Sequence, residues 1–148
     1  MPDSDDPLIF LRAPRGLDRR RLRDFHKRLC ETAAGGNRFC CLLTDDRELR
    51  RLNLQFLGHD YPTDVLSFPE PGPDGFLGEM AISVERAAAQ AQQFGHSTDE
   101  EIEILMLHGA LHLIGMDHET DKGQMARAEK RWRMTLGLAS GLVERVRR

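Results

Sequence analysis

The sequence is poor in cysteine and has no long apolar segment. Its 148 residues include three cysteines, at positions 30, 40 and 41, and none of them has CxxC spacing. This argues against a disulfide framework or a thiolate zinc site, and favours small buried side chains in a reducing cytoplasm. No apolar run approaches the roughly 20 residues that span a bilayer, and the acidic start MPDSDDPLIF lacks the apolar stretch of a signal peptide. We therefore expect a cytoplasmic protein without a membrane segment.

A strong net charge is also missing. The formal net charge is −3, which argues against indiscriminate binding of nucleic acid through total charge. Arginine and lysine nevertheless outnumber aspartate clearly between positions 12 and 28. Such a run is typical of the solvated face of a helix, while Arg19, Arg20 and Arg23 also have the chemistry to bind RNA phosphates. Charge patterning alone leaves both interpretations open.

One domain is predicted, because the length suits a single core and no repeat, linker or low-complexity tract divides the chain. Short apolar runs predict four strands, at 8–13, 39–44, 63–69 and 76–84. Helical spacing predicts five helices, at about 18–32, 45–58, 85–94, 97–115 and 120–137. Asp18 and Asp45 are the expected N-caps of the first two helices, and Glu48 forms a capping box with Asp45. The last helix is expected to pack on the core through Met125, Ala128, Trp132 and Leu136.

Three of the six histidines stand in the segment HGALHLIGMDH, with the spacing His-x3-His-x5-His. His108 and His112 are four residues apart on one predicted helix, so their imidazoles share a face. Gly115 lets the chain leave that helix without steric cost, and His118 then folds back towards the same point. Three neutral imidazoles suit a zinc ion, and three protein ligands are typical of catalytic sites that keep one position open. Ordinary hydrogen-bonded histidines are the alternative, which this spacing disfavours.

The same segment matches the metzincin protease pattern H-E-x-x-H-x-x-G-x-x-H at every position but one. Gly109 stands where those proteases carry the glutamate that acts as general base. A glycine cannot accept a proton, so the metal scaffold is protease-like while the proteolytic mechanism lacks its carboxylate. A zinc hydrolase of peptides or small molecules is disfavoured for this reason.

Two motifs resemble those of the YbeY family of metal-dependent endoribonucleases, also called rRNA maturation factors. HGALHLIGMDH is similar to the family signature HGxLHLxGxDH, and PTDVLSFP followed by LGEMAIS resembles a second family segment. The resemblance covers most of the chain. It implies a single α+β domain over residues 1–148, with a small mixed four-stranded sheet packed against helices. It also implies one zinc ion per chain, held by His108, His112 and His118 at the end of a cleft.

The resemblance further implies a function, the cleavage of single-stranded RNA in the cytoplasm. Family members act in ribosomal RNA processing, notably at the 3′ end of the small-subunit RNA, and in ribosome quality control. Ribosomal RNA is then the substrate, small-subunit proteins are candidate partners, and no membrane is involved. Arg19, Arg20 and Arg23 become the predicted phosphate-binding residues. A non-catalytic ribosome-associated factor with a structural metal is the alternative.

Leu57 departs from the family pattern, which usually has an arginine five residues before the Pro-Thr-Asp of PTDVLSFP. That arginine is thought to help with transition-state charge, and its role does not carry over to a leucine. His59 is a candidate substitute, because a protonated imidazole pairs with phosphate; an exposed loop histidine is the alternative. Asp117 is a candidate for orienting a metal ligand from outside the metal shell, or else for capping the next helix.

The strand segment TDVLSFP has two interpretations of equal weight. In one, Val65, Leu66 and Phe68 belong to the core while the residues before them organise the turn. In the other, this strand edge lines the RNA cleft, and Asp64 or Ser67 binds the backbone or the substrate.

Overall fold

The computed structural model describes residues 7–138, which form one mixed four-stranded sheet with five helices. The strands are β1 (Leu8–Phe10), β2 (Cys40–Thr44), β3 (Val65–Pro69) and β4 (Gly78–Ser83). They lie in the order β1-β2-β4-β3. Strands β1, β2 and β4 are parallel to one another. Strand β3, at the edge, runs antiparallel to β4. The α+β class and the small mixed sheet are as predicted.

The five helices follow the predicted segments closely. They are α1 (Arg19–Glu31), α2 (Asp46–Leu57), α3 (Val84–Phe94), α4 (Thr98–Leu113) and α5 (Gln124–Leu136). Asp18 accepts a hydrogen bond from the backbone of Arg21, and Asp45 accepts one from the backbone of Glu48, so both predicted N-caps are confirmed. The reciprocal half of the capping box is wrong, because the Glu48 carboxylate binds the Arg51 guanidinium at 2.6 Å.

Helix α4 is the central element of the fold. From Glu101 to Leu111 every residue is buried, and its apolar side chains join the main core with α1, α5 and the sheet. A helix that is apolar around most of its circumference has to be enclosed by other elements. The C-terminal end of α4, where His108 and His112 lie, is therefore held rigidly by the core.

The remaining elements complete two layers on the sheet. Helix α2 covers the face of the sheet that α4 leaves open, through a small cluster of Leu49, Leu66 and Ala81. Helix α5 buries Met125, Ala128 and Leu136 and partly buries Trp132, as predicted. Strand β1 is shorter than the prediction, because Arg12 has a left-handed backbone with φ of 55° that ends the extended run. None of the helices described between residues 7 and 138 has the length and apolar character needed to cross a bilayer.

Candidate metal centre

Three histidines converge at the C-terminal end of helix α4. His108 and His112 are one helical turn apart, and their Nε2 atoms are 3.2 Å from each other. Gly115 has a φ of 99° and its N–H donates to the carbonyl of His112, which turns the chain out of the helix as predicted. His118 then returns to the same point. One potential ligand atom from each of the three histidines lies within 4.8 Å of the others.

The Nδ1 atoms of two of these imidazoles each contact a hydrogen-bond acceptor. His108 Nδ1 contacts Glu129 Oε2 at 2.8 Å, and His112 Nδ1 contacts the carbonyl oxygen of Met116 at 2.8 Å. A carboxylate and a carbonyl both accept hydrogen bonds, so each Nδ1 carries the proton and each Nε2 carries a lone pair. Two lone pairs therefore face each other across 3.2 Å.

This separation suits a metal ion bound between the two nitrogens. A tetrahedral zinc ion with Zn–N distances of about 2.0–2.1 Å places its ligand nitrogens about 3.3 Å apart. Burial, and then the neighbouring His108, lowers the pKa of His112, so its imidazole is neutral and available as a ligand. Within the part of the chain that the structure describes, the buried Nδ1 of His118 has no hydrogen-bond partner. The three residues thus fit a metal ion by geometry, and the lowered pKa of His112 favours the neutral form that binds a metal.

Glu129 is the residue at this site that sequence reasoning missed. It lies on α5 with 1% of its surface exposed, and it orients His108 from outside the cluster. A signal was present, because Glu129 stands four residues after Met125 and directly after Ala128, on the apolar stripe of its helix. A single carboxylate on a stripe that packs into the core requires a buried partner.

Asp117 does not cap the next helix, which was one of the two roles that the sequence suggested. Its side chain is exposed and accepts a hydrogen bond from the backbone of Glu119 at 3.0 Å, within the loop that carries His118. The start of α5 is held instead by Asp121, which accepts from the backbone of Met125 at 2.8 Å. Asp117 therefore shapes the loop, and Glu129 is the carboxylate that contacts His108. A role of Asp117 in orienting a metal ligand stays a prediction.

Gly109 lies in close contact with the sheet. The hydroxyl of Ser67 donates to the Gly109 carbonyl at 3.0 Å. A Cβ atom at this position would lie 2.9 Å from the sulfur of Met80 and 3.1 Å from Ser67 Oγ. A glutamate here, as in proteases with this histidine spacing, would therefore require the side chains of Met80 on β4 and Ser67 on β3 to move.

The histidines line an open cleft of about 590 Å³. Its other walls come from the start of β3, the end of α3 and the loop after α4; the lining residues besides the histidines are Thr63, Asp64, Val65, Ser67, Gln90, Gln93, Phe94 and Glu119. Both interpretations of TDVLSFP are partly right. Leu66 is buried in the core, whereas Asp64 and Ser67 line the cleft. Asp64 also organises the turn, since it accepts from the Val65 backbone at 2.8 Å.

The other residues singled out in the sequence lie outside this lining. Arg19 and Arg23 place their guanidinium groups 4.5 Å and 5.1 Å from the centre of the Phe10 ring. Arg20 is exposed on the same helix. His59 follows α2 in an exposed loop. The phosphate-binding role of the arginines and the substitute role of His59 stay predictions.

Comparison with known proteins now places the chain among its relatives. The sequence model of the family described as "Endoribonuclease YbeY" matches residues 17–137. The chain belongs to the endoribonuclease YbeY family. A YbeY relative from Solibacter usitatus is 56% identical over 139 residues, which cover 94% of this chain and 93% of that protein. Another from Koribacter versatilis is 44% identical over 138 residues, with coverage of 93% and 90%.

The fold agrees with that of a solved structure. The solution structure of TM1509 from Thermotoga maritima superposes with a TM-score of 0.59 at 28% sequence identity, covering 88% of this chain and 89% of that one. The resemblance to the YbeY family that two motifs suggested is thereby confirmed over nearly the whole chain. Leu57, where the family resemblance implied an arginine, lies at the end of α2 with 51% of its surface exposed.

Proposed function

We propose that this protein is a zinc-dependent endoribonuclease that cleaves single-stranded RNA during ribosomal RNA processing. One observation carries the proposal: the Nε2 atoms of His108 and His112 lie 3.2 Å apart while both Nδ1 atoms contact acceptors, in a chain of the endoribonuclease YbeY family. The small-subunit RNA, including its 3′ end, is the proposed substrate. The protein is proposed to act in the cytoplasm, to take part also in ribosome quality control, and to have small-subunit proteins as partners.

His108, His112 and His118 would hold the zinc ion. When bound, zinc acts as a Lewis acid that acidifies water and polarises a phosphoryl oxygen. The protein contributes orientation, since Glu129 and the Met116 carbonyl fix the two Nδ1 protons and direct both Nε2 lone pairs inward. Gly109 supplies no general base, which separates this site from a zinc protease.

The attacking group is either water or the 2′-hydroxyl of the substrate ribose. Analysis of the product ends distinguishes them, because a terminal 2′,3′-cyclic phosphate forms only when the 2′-hydroxyl attacks first. Electrostatic attraction of the RNA is assigned to Arg19, Arg20 and Arg23 on α1, which are exposed to solvent. His59 is the proposed substitute for the arginine that Leu57 replaces.

A structural metal in a non-catalytic ribosome-associated factor is the rival function. Structural zinc sites close their shell with four protein ligands. The group of potential ligands found within residues 7–138 has three members and faces an open cleft, which supports a catalytic site.

The decisive experiment is cleavage of a labelled single-stranded RNA by the zinc-loaded protein, beside a His112→Ala preparation. We expect cleavage by the natural chain, loss of cleavage in the variant, and loss of bound zinc by metal analysis. Removal of zinc with a chelator and its restoration provide the control within one preparation. Equal cleavage by both proteins would identify a contaminating nuclease, and zinc binding without cleavage would favour the ribosome-associated factor.

A further inference from the structure

The cleft beside the histidines has an unusual charge for an RNA-binding surface. None of the described residues that line it is lysine or arginine, and two of them, Asp64 and Glu119, are acidic. Phosphate contacts from guanidinium or ammonium groups are therefore not provided by this lining. Apart from a metal ion, this wall offers RNA uncharged polar side chains and a phenyl ring, which favours contacts to bases and sugars over ionic contacts to phosphate.

The end of helix α3 offers an aromatic ring to the cleft. Phe94 is the last residue of the helix, and 38% of its surface is exposed. The helix end is well formed, since Gly95 takes a left-handed conformation with φ of 76° and its N–H donates to the Ala91 carbonyl at 2.9 Å. Phe94 therefore stands at a regular helix end, partly exposed, in the lining of the cleft that also contains the three histidines.

Two glutamines of the same helix share the cleft with Phe94. The amide nitrogen of Gln90 donates to Asp64 Oδ2 at 3.1 Å, and Asp64 is itself held by the Val65 backbone. The hydrogen bond between Gln90 and Asp64 connects α3 to the start of β3 and fixes the position of this wall of the cleft. Gln93 lies almost one turn further on and is exposed. Its amide has both donors and an acceptor, so it is able to pair with the edge of any base.

We propose that the end of α3 is a nucleobase subsite, in which an unpaired base of the RNA stacks on Phe94 and hydrogen-bonds to Gln93. The inference rests on the proposed ribonuclease function and names the part of the substrate that this wall binds. Aromatic side chains bind unstacked bases in this way in single-stranded RNA recognition. A base inside a duplex is covered on both faces, so the subsite selects single strands.

The test measures binding of a fluorescein-labelled 2′-O-methyl oligoadenylate and of the same oligonucleotide with abasic sites at its centre. The zinc-loaded protein is used, and probe integrity is checked by gel after each titration. Phe94→Ala is expected to weaken binding of the adenylate between about fivefold and about a hundredfold, the range for loss of one stacked base. Binding of the abasic probe is expected to remain unchanged, and Phe94→Trp is expected to retain adenylate binding.

Phe56→Ala is the matched control, because Phe56 is an exposed aromatic residue on α2 that does not line this cleft. It is expected to leave both probes unaffected. The salt dependence gives a second readout: Phe94→Ala keeps the slope of affinity against salt, whereas Arg19→Ala and Arg23→Ala reduce it if those arginines bind phosphates.

The nucleobase subsite is overturned if the natural chain does not prefer the adenylate over the abasic probe. Equal weakening of both probes by Phe94→Ala would overturn it as well, as would unchanged adenylate binding. The cleavage assay with His112→Ala separates the two proposals. Zinc-dependent cleavage without base-dependent binding would contradict the nucleobase subsite but support the ribonuclease function. Base-dependent binding without cleavage would support the subsite but contradict the ribonuclease function.

Discussion

Two buried pairs of a histidine and a carboxylate lie at opposite ends of helix α4. At its N-terminal end His96 contacts Glu101 at 2.5 Å, and at its C-terminal end His108 contacts Glu129 at 2.8 Å. The two carboxylates are equally buried, with 0% and 1% of their surface exposed. Within residues 7–138, only the histidine of the second pair, His108, belongs to a group of three potential metal ligands.

The difference shows what turns such a pair into a candidate metal site. A buried carboxylate needs a hydrogen-bond donor wherever it occurs, and a histidine satisfies that need at both ends of the helix. At the second end the carboxylate fixes the proton on one ring nitrogen of His108, and the lone pair on the other points at further imidazoles. A buried pair of a histidine and a carboxylate is therefore a structural feature by itself. A candidate metal site requires in addition that three imidazole rings converge.

Breaking the first pair is expected to have the largest effect on stability. His96→Ala leaves the buried Glu101 carboxylate without its histidine, which should lower the free energy of unfolding by about 3 kcal/mol. Zinc affinity, measured where the variant is fully folded, should stay unchanged. Urea denaturation and zinc titration together check this. A double variant, His96→Ala with Glu101→Gln, should recover part of the loss, because the buried charge is gone. Weakened zinc binding in folded His96→Ala protein would contradict the distinction between the two pairs.

Breaking the second pair is expected to act on metal binding. Glu129→Gln keeps a similar shape but removes the charge that orients and polarises His108, so zinc affinity should fall by about 10–100-fold. Competition with a chromophoric zinc chelator measures this. Glu101→Gln is the matched control, since it neutralises an equally buried glutamate at the other end of α4. If both variants bind zinc equally well, Glu129 has no role at the centre beyond packing.

The contrast also shows how far the sequence was informative. The convergence of three histidines was predictable, because it depends on a four-residue helical spacing and on a glycine that turns the chain, both of which are local. Glu129 was not predicted, because its contact with His108 joins residues 21 positions apart on two helices. Local patterns do not specify which faces of separate helices meet.

The burial of Glu101 and Glu103 in α4 was not predicted, for a related reason. Glu101 and Glu103 stand near an acidic first turn, and such a sequence is typical of an exposed helix N-terminus. In the structure both are buried, because His96 and Arg21 supply partners from neighbouring segments. The order of helices and strands and the N-caps depend on short-range patterns and were correct, whereas the mixed sheet was implied by the resemblance to the YbeY family. Partners of buried charges depend on tertiary packing.

A third test of the comparison uses the contact of α4 with the sheet at Gly109. A substitution there should affect only the C-terminal end of α4, where the three histidines converge. Gly109→Ala gains about 1 kcal/mol of helix propensity, but its Cβ would stand 2.9 Å from the Met80 sulfur. Overpacking of this kind costs about 1–3 kcal/mol, so we expect a net loss of about 1 kcal/mol together with weaker zinc binding. Thermal unfolding and zinc titration measure both. A more stable variant with unchanged zinc affinity would mean that Met80 moves aside without displacing the histidines.

The smallest effect is expected between the two ends, where Arg21 binds Glu103 with two hydrogen bonds of 2.8 Å and 3.1 Å. This carboxylate is nearly buried, but the arginine side chain is 42% exposed, so water screens the interaction. Arg21→Lys keeps the charge and loses the two-pronged geometry. It should reduce the free energy of unfolding by about 0.5–1 kcal/mol, with a smaller difference at high salt and the same zinc affinity. Urea denaturation at two salt concentrations checks the prediction. A loss as large as that of His96→Ala would mean that burial of the carboxylate alone, and not exposure of its partner, sets the contribution of each pair along α4.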